Sequence, residues 1–174
     1  MSKKRILIPL DASKISREII PYVQQFFKPD EYKLYLLKVF AADIENIAIP
    51  PAHAALEWTP RMYQLVAEWQ EAEHESHEHK KEALCHAIED ALADEAAEVA
   101  ALGYEVETRV ACGDPAHRIE ETIQTLHVDL VAMTTHAREG LKRLIKGSVA
   151  GRVLHDMAVP VLLYHPFAEK NLDD

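Results

Sequence analysis

Two cysteines, Cys85 and Cys112, are all that the 174 residues contain, and they stand in no CxxC or other metal-ligand spacing. That absence excludes a disulfide framework and a cysteine-ligated zinc site, and it points to a reducing, cytoplasmic setting. Long apolar runs are missing too. The amino end, Met1-Ser2-Lys3-Lys4-Arg5, is basic, but Pro9 and Asp11 interrupt the apolar stretch after it. Neither a signal peptide nor a membrane span is expected. Positive charge is scarce: 19 Lys and Arg against 29 Asp and Glu leave a net charge of −10. Long-range repulsion then argues against a nucleic-acid partner, although Arg138, Lys142, Arg143 and Lys146 form a local basic group. No internal repeat or low-complexity run is visible.

What is present is ordinary globular material, 48% apolar and 28% charged, enough for one domain with a proper core. The informative stretch is Asp129 to Pro166. It opens with the apolar run Leu130-Val131-Ala132-Met133 and closes with Val159-Pro160-Val161-Leu162-Leu163-Tyr164, both reading as strands buried on two faces. Between them lie a polar loop and an amphipathic helix with Val149, Val153 and Met157 on one face. Such a strand-loop-helix-strand crossover builds parallel sheets. Its ligand usually sits where the first strand ends and the helix begins, here Thr134 to Ser148, and an anion, most simply a phosphate, suits that place. Gly147-Ser148 supplies a flexible turn and a helix-starting hydroxyl; an ordinary capped turn reads the same residues without a ligand.

Earlier in the chain, Arg5 to Asp11 reads as a first strand. A helix follows from Ser13 to about Phe27, with Ile15, Ile19, Val23 and Phe26 or Phe27 at helical spacing and a break expected at Pro21. Lys33 to Phe40 is a second strand. Ala41 to Pro60, with Pro50-Pro51, Trp58 and Pro60, reads as a long excursion. Met62 to Leu102 is helical, its stripe running Leu84, Ile88, Ala91 or Leu92, Ala96, Val99 and Leu102, and Leu65 to Lys81 projects beyond the sheet or forms a separate helix. On that part His74 and His77 share a face, as do Glu75, His79 and Glu82, which suffices for two-ligand metal contacts. Without a third convergent ligand a solvated polar face is expected, and no metal site. Glu105 to Ala111 alternates as an edge strand with Val106, Thr108 and Val110 inward. Gly113-Asp114-Pro115 then turns into a helix buried through Ile119, Ile123 and Leu126. Phe167 to Asp174 is a polar tail.

These segments carry a resemblance. THAREGLKRLIKGSVAGRVLHDMAVPVLLYHP is similar to the C-terminal half of the universal stress protein family, of the adenine nucleotide alpha-hydrolase-like superfamily. The family's pattern is Gly-x-x-Gly, nine residues, Gly-Ser or Gly-Thr, then a Pro-Val-Leu strand. The first two glycines fall at Thr134 and Ala137 here, whereas the nine-residue spacing and Gly147-Ser148 are intact. Pro9-Leu10-Asp11-Ala12-Ser13 resembles the family's Val-Pro-x-Asp-Gly-Ser, and Gly113 to Ile119 its Gly-x-Pro-x-x-x-Ile. The resemblance implies a doubly wound, Rossmann-like α/β domain over residues 1–166, with a variable excursion at about 41–80. Its five-stranded parallel sheet has the order 3-2-1-4-5, with helices on both faces.

The resemblance further implies a stress-response binding protein that holds ATP, with or without Mg2+, or a related adenine nucleotide, between Pro9, Asp11, Ser13 and Val39 on one side and Thr134, His136, Ala137, Arg138, Gly147 and Ser148 on the other. Arg138 or Lys142 would neutralise phosphate. Homodimers through the last strand, by way of Val159, Val161 and Leu163, are implied as well. Asp11 has a second reading as the cap of the following helix. Alanine at 137 puts a Cβ where close phosphate approach favours glycine, so a nucleotide-free homodimer acting by protein interaction is the alternative. For catalysis no acid–base pair stands out: His136 lacks an evident partner, and slow ATP hydrolysis is the most that is expected.

Overall fold

A computed structural model describes residues 2–11, 13–40, 64, 77–135 and 149–166. The strands are β1 (Lys4–Leu10), β2 (Tyr32–Phe40), β3 (Glu105–Cys112), β4 (Leu130–Thr134) and β5 (Val161–Tyr164). They form one parallel sheet in the order β3-β2-β1-β4-β5, as the resemblance implies. Of the expected excursion at about 41–80, residues 41–63 and 65–76, with Trp58 and His74, lie outside the described residues, as does the tail 167–174.

Strand alternation splits the apolar runs into two cores. Ile6, Ile8 and Leu10 of β1 join Leu34 and Leu36 of β2 on one face. A 3-10 turn (Lys14–Ile19), helix α1 (Ile20–Phe26) and helix α2 (His77–Ala100) cover it through Ile19, Val23, Leu92 and Val99. Leu7, Tyr35, Leu37, Val131 and Met133 point the other way. Helices α3 (Pro115–Leu126) and α4 (Val149–Asp156) cover them with Ile119, Ala150 and Val153. Helices on both faces are what a parallel sheet with two apolar sides requires.

The break expected at Pro21 has a specific form. Proline has no N–H to offer the Arg17 carbonyl, which takes the N–H of Ile20 instead, in the 3-10 pattern. Pro21 then falls in the first turn of α1, where a missing N–H costs little. One expected core residue is corrected by a helix end. Leu102 is 45% exposed because α2 stops at Ala100 and Gly103, at φ 95, turns the chain. Of the phenylalanine pair, Phe27 packs inward while Phe26 is 62% exposed.

Edge strand β3 carries its own protection. Lys33 lies between Glu105, 2.8 Å away, and Glu107, 3.0 Å away, and these carboxylates hold its ammonium well above the usual lysine range. Charges along an edge discourage pairing with another sheet. Helix α3 closes on His127 in the left-handed region, φ 48. Its side chain is exposed, so His127→Gly removes strain without removing packing. Urea unfolding should show the variant more stable by about 0.5–1 kcal/mol.

Candidate nucleotide site at the rim of β1 and β4

The sheet opens where its order reverses. β1 stays paired with β2 through Pro9↔Leu37 and Leu10↔Lys38, and β4 stays paired with β5 to Thr134↔Tyr164. Between β1 and β4, however, the register runs only through Ile6↔Leu130 and Leu7↔Val131. It stops short of Pro9, which has no N–H with which to extend a ladder. The carboxyl ends of β1 and β4 are therefore the two lips of a crevice at the topological switch point, the usual ligand position in open α/β sheets.

On the β1 lip, Pro9 is half-buried and Asp11 exposed. Asp11 Oδ1 accepts from the Ser13 N–H at 2.8 Å and from the Ser13 hydroxyl at 2.6 Å. Ser13 in turn caps the 3-10 turn, its Oγ accepting from the Ser16 N–H at 3.2 Å. The buried Ser16 hydroxyl donates to the carbonyls of Ser13, at 2.8 Å, and Asp11, at 3.2 Å. The two readings of Asp11 are thus partly resolved: the helix cap is Ser13, and Asp11 orients that cap from a solvent-facing position. A carboxylate held in one orientation is an acceptor suited to ribose hydroxyls or an exocyclic amine.

Val39, near the end of β2, packs against the second core, so its backbone rather than its side chain is what a ligand could meet. On the β4 lip Thr134 and Thr135 are both buried, and the Thr135 N–H donates to the Tyr164 carbonyl at 2.9 Å. Tyr164 stacks in a tilted pair with Tyr22 of α1, centroids 4.3 Å apart. A hydrogen bond with Tyr22, followed by desolvation, raises the Tyr164 hydroxyl above its ordinary range. This pairing of α1 with the end of β5 was not foreseen, because residues so distant in sequence share no local pattern. His136, Ala137, Arg138, Lys142, Gly147 and Ser148 lie outside the described residues.

The rim continues at the end of β3. Asp114 caps α3, accepting from the His117 N–H at 2.9 Å, and it also takes Arg152 of α4 at 2.8 Å. The Arg152 guanidinium, and next the His117 N–H, hold the Asp114 carboxyl below its ordinary range. A depressed folded-state value means the contribution is complete above the unfolded value, about pH 4, and is lost as pH falls through the folded one. Between about pH 5 and pH 2.5 the thermal midpoint of the wild type should fall further than that of Asp114→Asn, as read by circular dichroism.

β5 begins at Val161, two residues later than the apolar run suggests, because Pro160 cannot donate; its carbonyl accepts from Val131 N–H at 3.0 Å. Val159, Val161 and Leu163 pack against the second core. What this edge offers a partner is accordingly backbone. Among the described residues no group of three His, Cys, Asp or Glu could hold a metal ion, and no helix is long and apolar enough to cross a membrane. His77 is the first described residue of α2, while His74 lies outside the described residues.

Comparison with known proteins agrees with this geometry. Residues 3–165 match the Universal stress protein family. A universal stress protein of Methanocaldococcus jannaschii is 29% identical over 160 residues, covering 92% of this chain and 81% of that one. Among solved structures, a universal stress protein in complex with cAMP matches 95% of this chain and 98% of its own, at TM-score 0.54 and 15% identity. An Arabidopsis thaliana universal stress protein family member with AMP bound matches 98% and 97%, at TM-score 0.55 and 13% identity. Likeness at that identity fixes the fold.

Proposed function

Because this chain belongs to the universal stress protein family, we propose that it is a stress-response binding and regulatory protein holding an adenine nucleotide, ATP with Mg2+ or a related one, in the crevice between β1 and β4. The observation that carries this reading is the early end of the β1–β4 ladder, which leaves Asp11 and Thr134 on facing lips. Relatives of the same fold crystallised with cAMP and AMP support the adenosine half of the ligand. In this reading Pro9, Asp11, Ser13 and the Val39 backbone take adenine and ribose. Thr134, His136, Ala137, Arg138, Gly147 and Ser148 take the phosphates, whose charge Mg2+ would help to neutralise. The protein acts as a single cytoplasmic domain over 1–166, paired with a second copy through the β5 edge at Val159, Val161 and Leu163.

Calorimetry with ATP and Mg2+, and separately with AMP, tests it. Saturable binding is expected, with the thermal midpoint rising as nucleotide passes its dissociation constant; at about a hundredfold excess over that constant the stabilisation is about 2.7 kcal/mol. Tighter binding of ATP than of AMP means the 134–148 loop contributes through the phosphates. An unchanged midpoint at millimolar concentrations of both supports the nucleotide-free homodimer instead.

A further inference from the structure

The described residues of helix α4 run Val149–Asp156; helices in proteins take most of their stability from the face they pack, so its position comes from what it touches. On one side Ala150 and Val153 are buried in the second core. On the other, Arg152 Nη1 donates to both carboxylate oxygens of Asp114, each at 2.8 Å.

Asp114 is itself well fixed. It follows Gly113, at φ 130, where any Cβ would stand 3.2 Å from Arg118 Nε, and that same Nε donates to the Cys112 carbonyl at 2.7 Å. It then caps α3, with Pro115 in the first helical turn. A rigid turn at the end of β3 thus holds a helix that follows β4, although β2 and β1 lie between them in the sheet. At about 4.8 Å per strand that is a span of about 14 Å across the rim.

Resting on the functional reading above, we propose that Asp114–Arg152 is a latch that positions the first turn of α4 at the rim and thereby sets nucleotide affinity. Val149, the first described residue of α4, is three residues from Arg152, about 4.5 Å of helical rise. Loss of the latch leaves α4 attached through its apolar face, free to rock about it, while the core and the β1 lip are unchanged. Both are positioning residues, acting through α4 and not by touching nucleotide.

The experiment is calorimetry with ATP and Mg2+ on the wild type, Arg152→Gln, Asp114→Asn, their double variant and Arg152→Lys. Arg109→Gln is the control, since Arg109 pairs with Glu107 at similar exposure on edge strand β3. Each single neutral variant should weaken binding about three- to tenfold and the double no further, because both remove the same contact. Arg152→Lys should recover part of the loss, and the control should bind as wild type. Unaltered affinity in both single variants overturns the latch, and so do additive losses or a loss shared by the control. Absence of binding by the wild type overturns the functional reading and removes this role with it.

Discussion

Replacing Asp11 with alanine should weaken adenine nucleotide binding by about tenfold or more while leaving the fold standing. A hydrogen bond to a charged acceptor contributes about 1.5–3 kcal/mol, and each 1.4 kcal/mol is a factor of ten in affinity. Asp11 is exposed, which favours the lower end. Stability should change little: the 3-10 turn keeps its cap, since Ser13 Oγ accepts from Ser16 without help from the carboxylate. Asp11→Asn keeps an acceptor for the Ser13 hydroxyl and should lie between the two in affinity. Calorimetry with AMP reads the adenosine contribution alone. Equal affinity of Asp11→Ala and wild type would remove the β1 lip from the binding site.

The largest effect on stability is expected from Leu92→Ala. Leu92 is fully buried and joins α2 to Ile6, Ile8, Leu34 and Leu36 in the first core. Truncation loses transfer energy and leaves a cavity between a rigid sheet and a helix that cannot collapse onto it, about 3 kcal/mol in comparable cores. Arg17, which pairs with Glu95 one turn further along α2, keeps the helix tethered but cannot fill the space. Denaturant unfolding should move its midpoint with the slope conserved. A change below about 1 kcal/mol means that α2 does not cover this face as described.

The strands were legible because a parallel sheet buried on two faces writes itself as apolar runs, such as Ile6-Leu7-Ile8 and Leu34 to Leu37. Their order was not read from periodicity at all; it came with the resemblance. Helix ends were less legible. The fate of Leu102 depends on where Gly103 turns the chain, and the form of the break at Pro21 depends on which N–H reaches Arg17. At the site, Pro9 and Asp11 stood out from their place at a strand end. What the sequence could not display is that the β1–β4 ladder ends at Leu7↔Val131, since pairing between strands over a hundred residues apart leaves no local trace. The contact of Asp114 with Arg152 is of the same kind. Asp114 was visible as a cap ahead of a proline, but its second partner comes from another helix.

The most direct test is a nuclear magnetic resonance titration of the isotopically labelled protein with AMP. Two turns meeting at one opening of the sheet predict that the amides of Asp11, Ser13, Val39 and Thr134 shift together along a single binding curve. Shifts at Asp11 and Ser13 without Thr134, or none at these residues at saturating AMP, would contradict it.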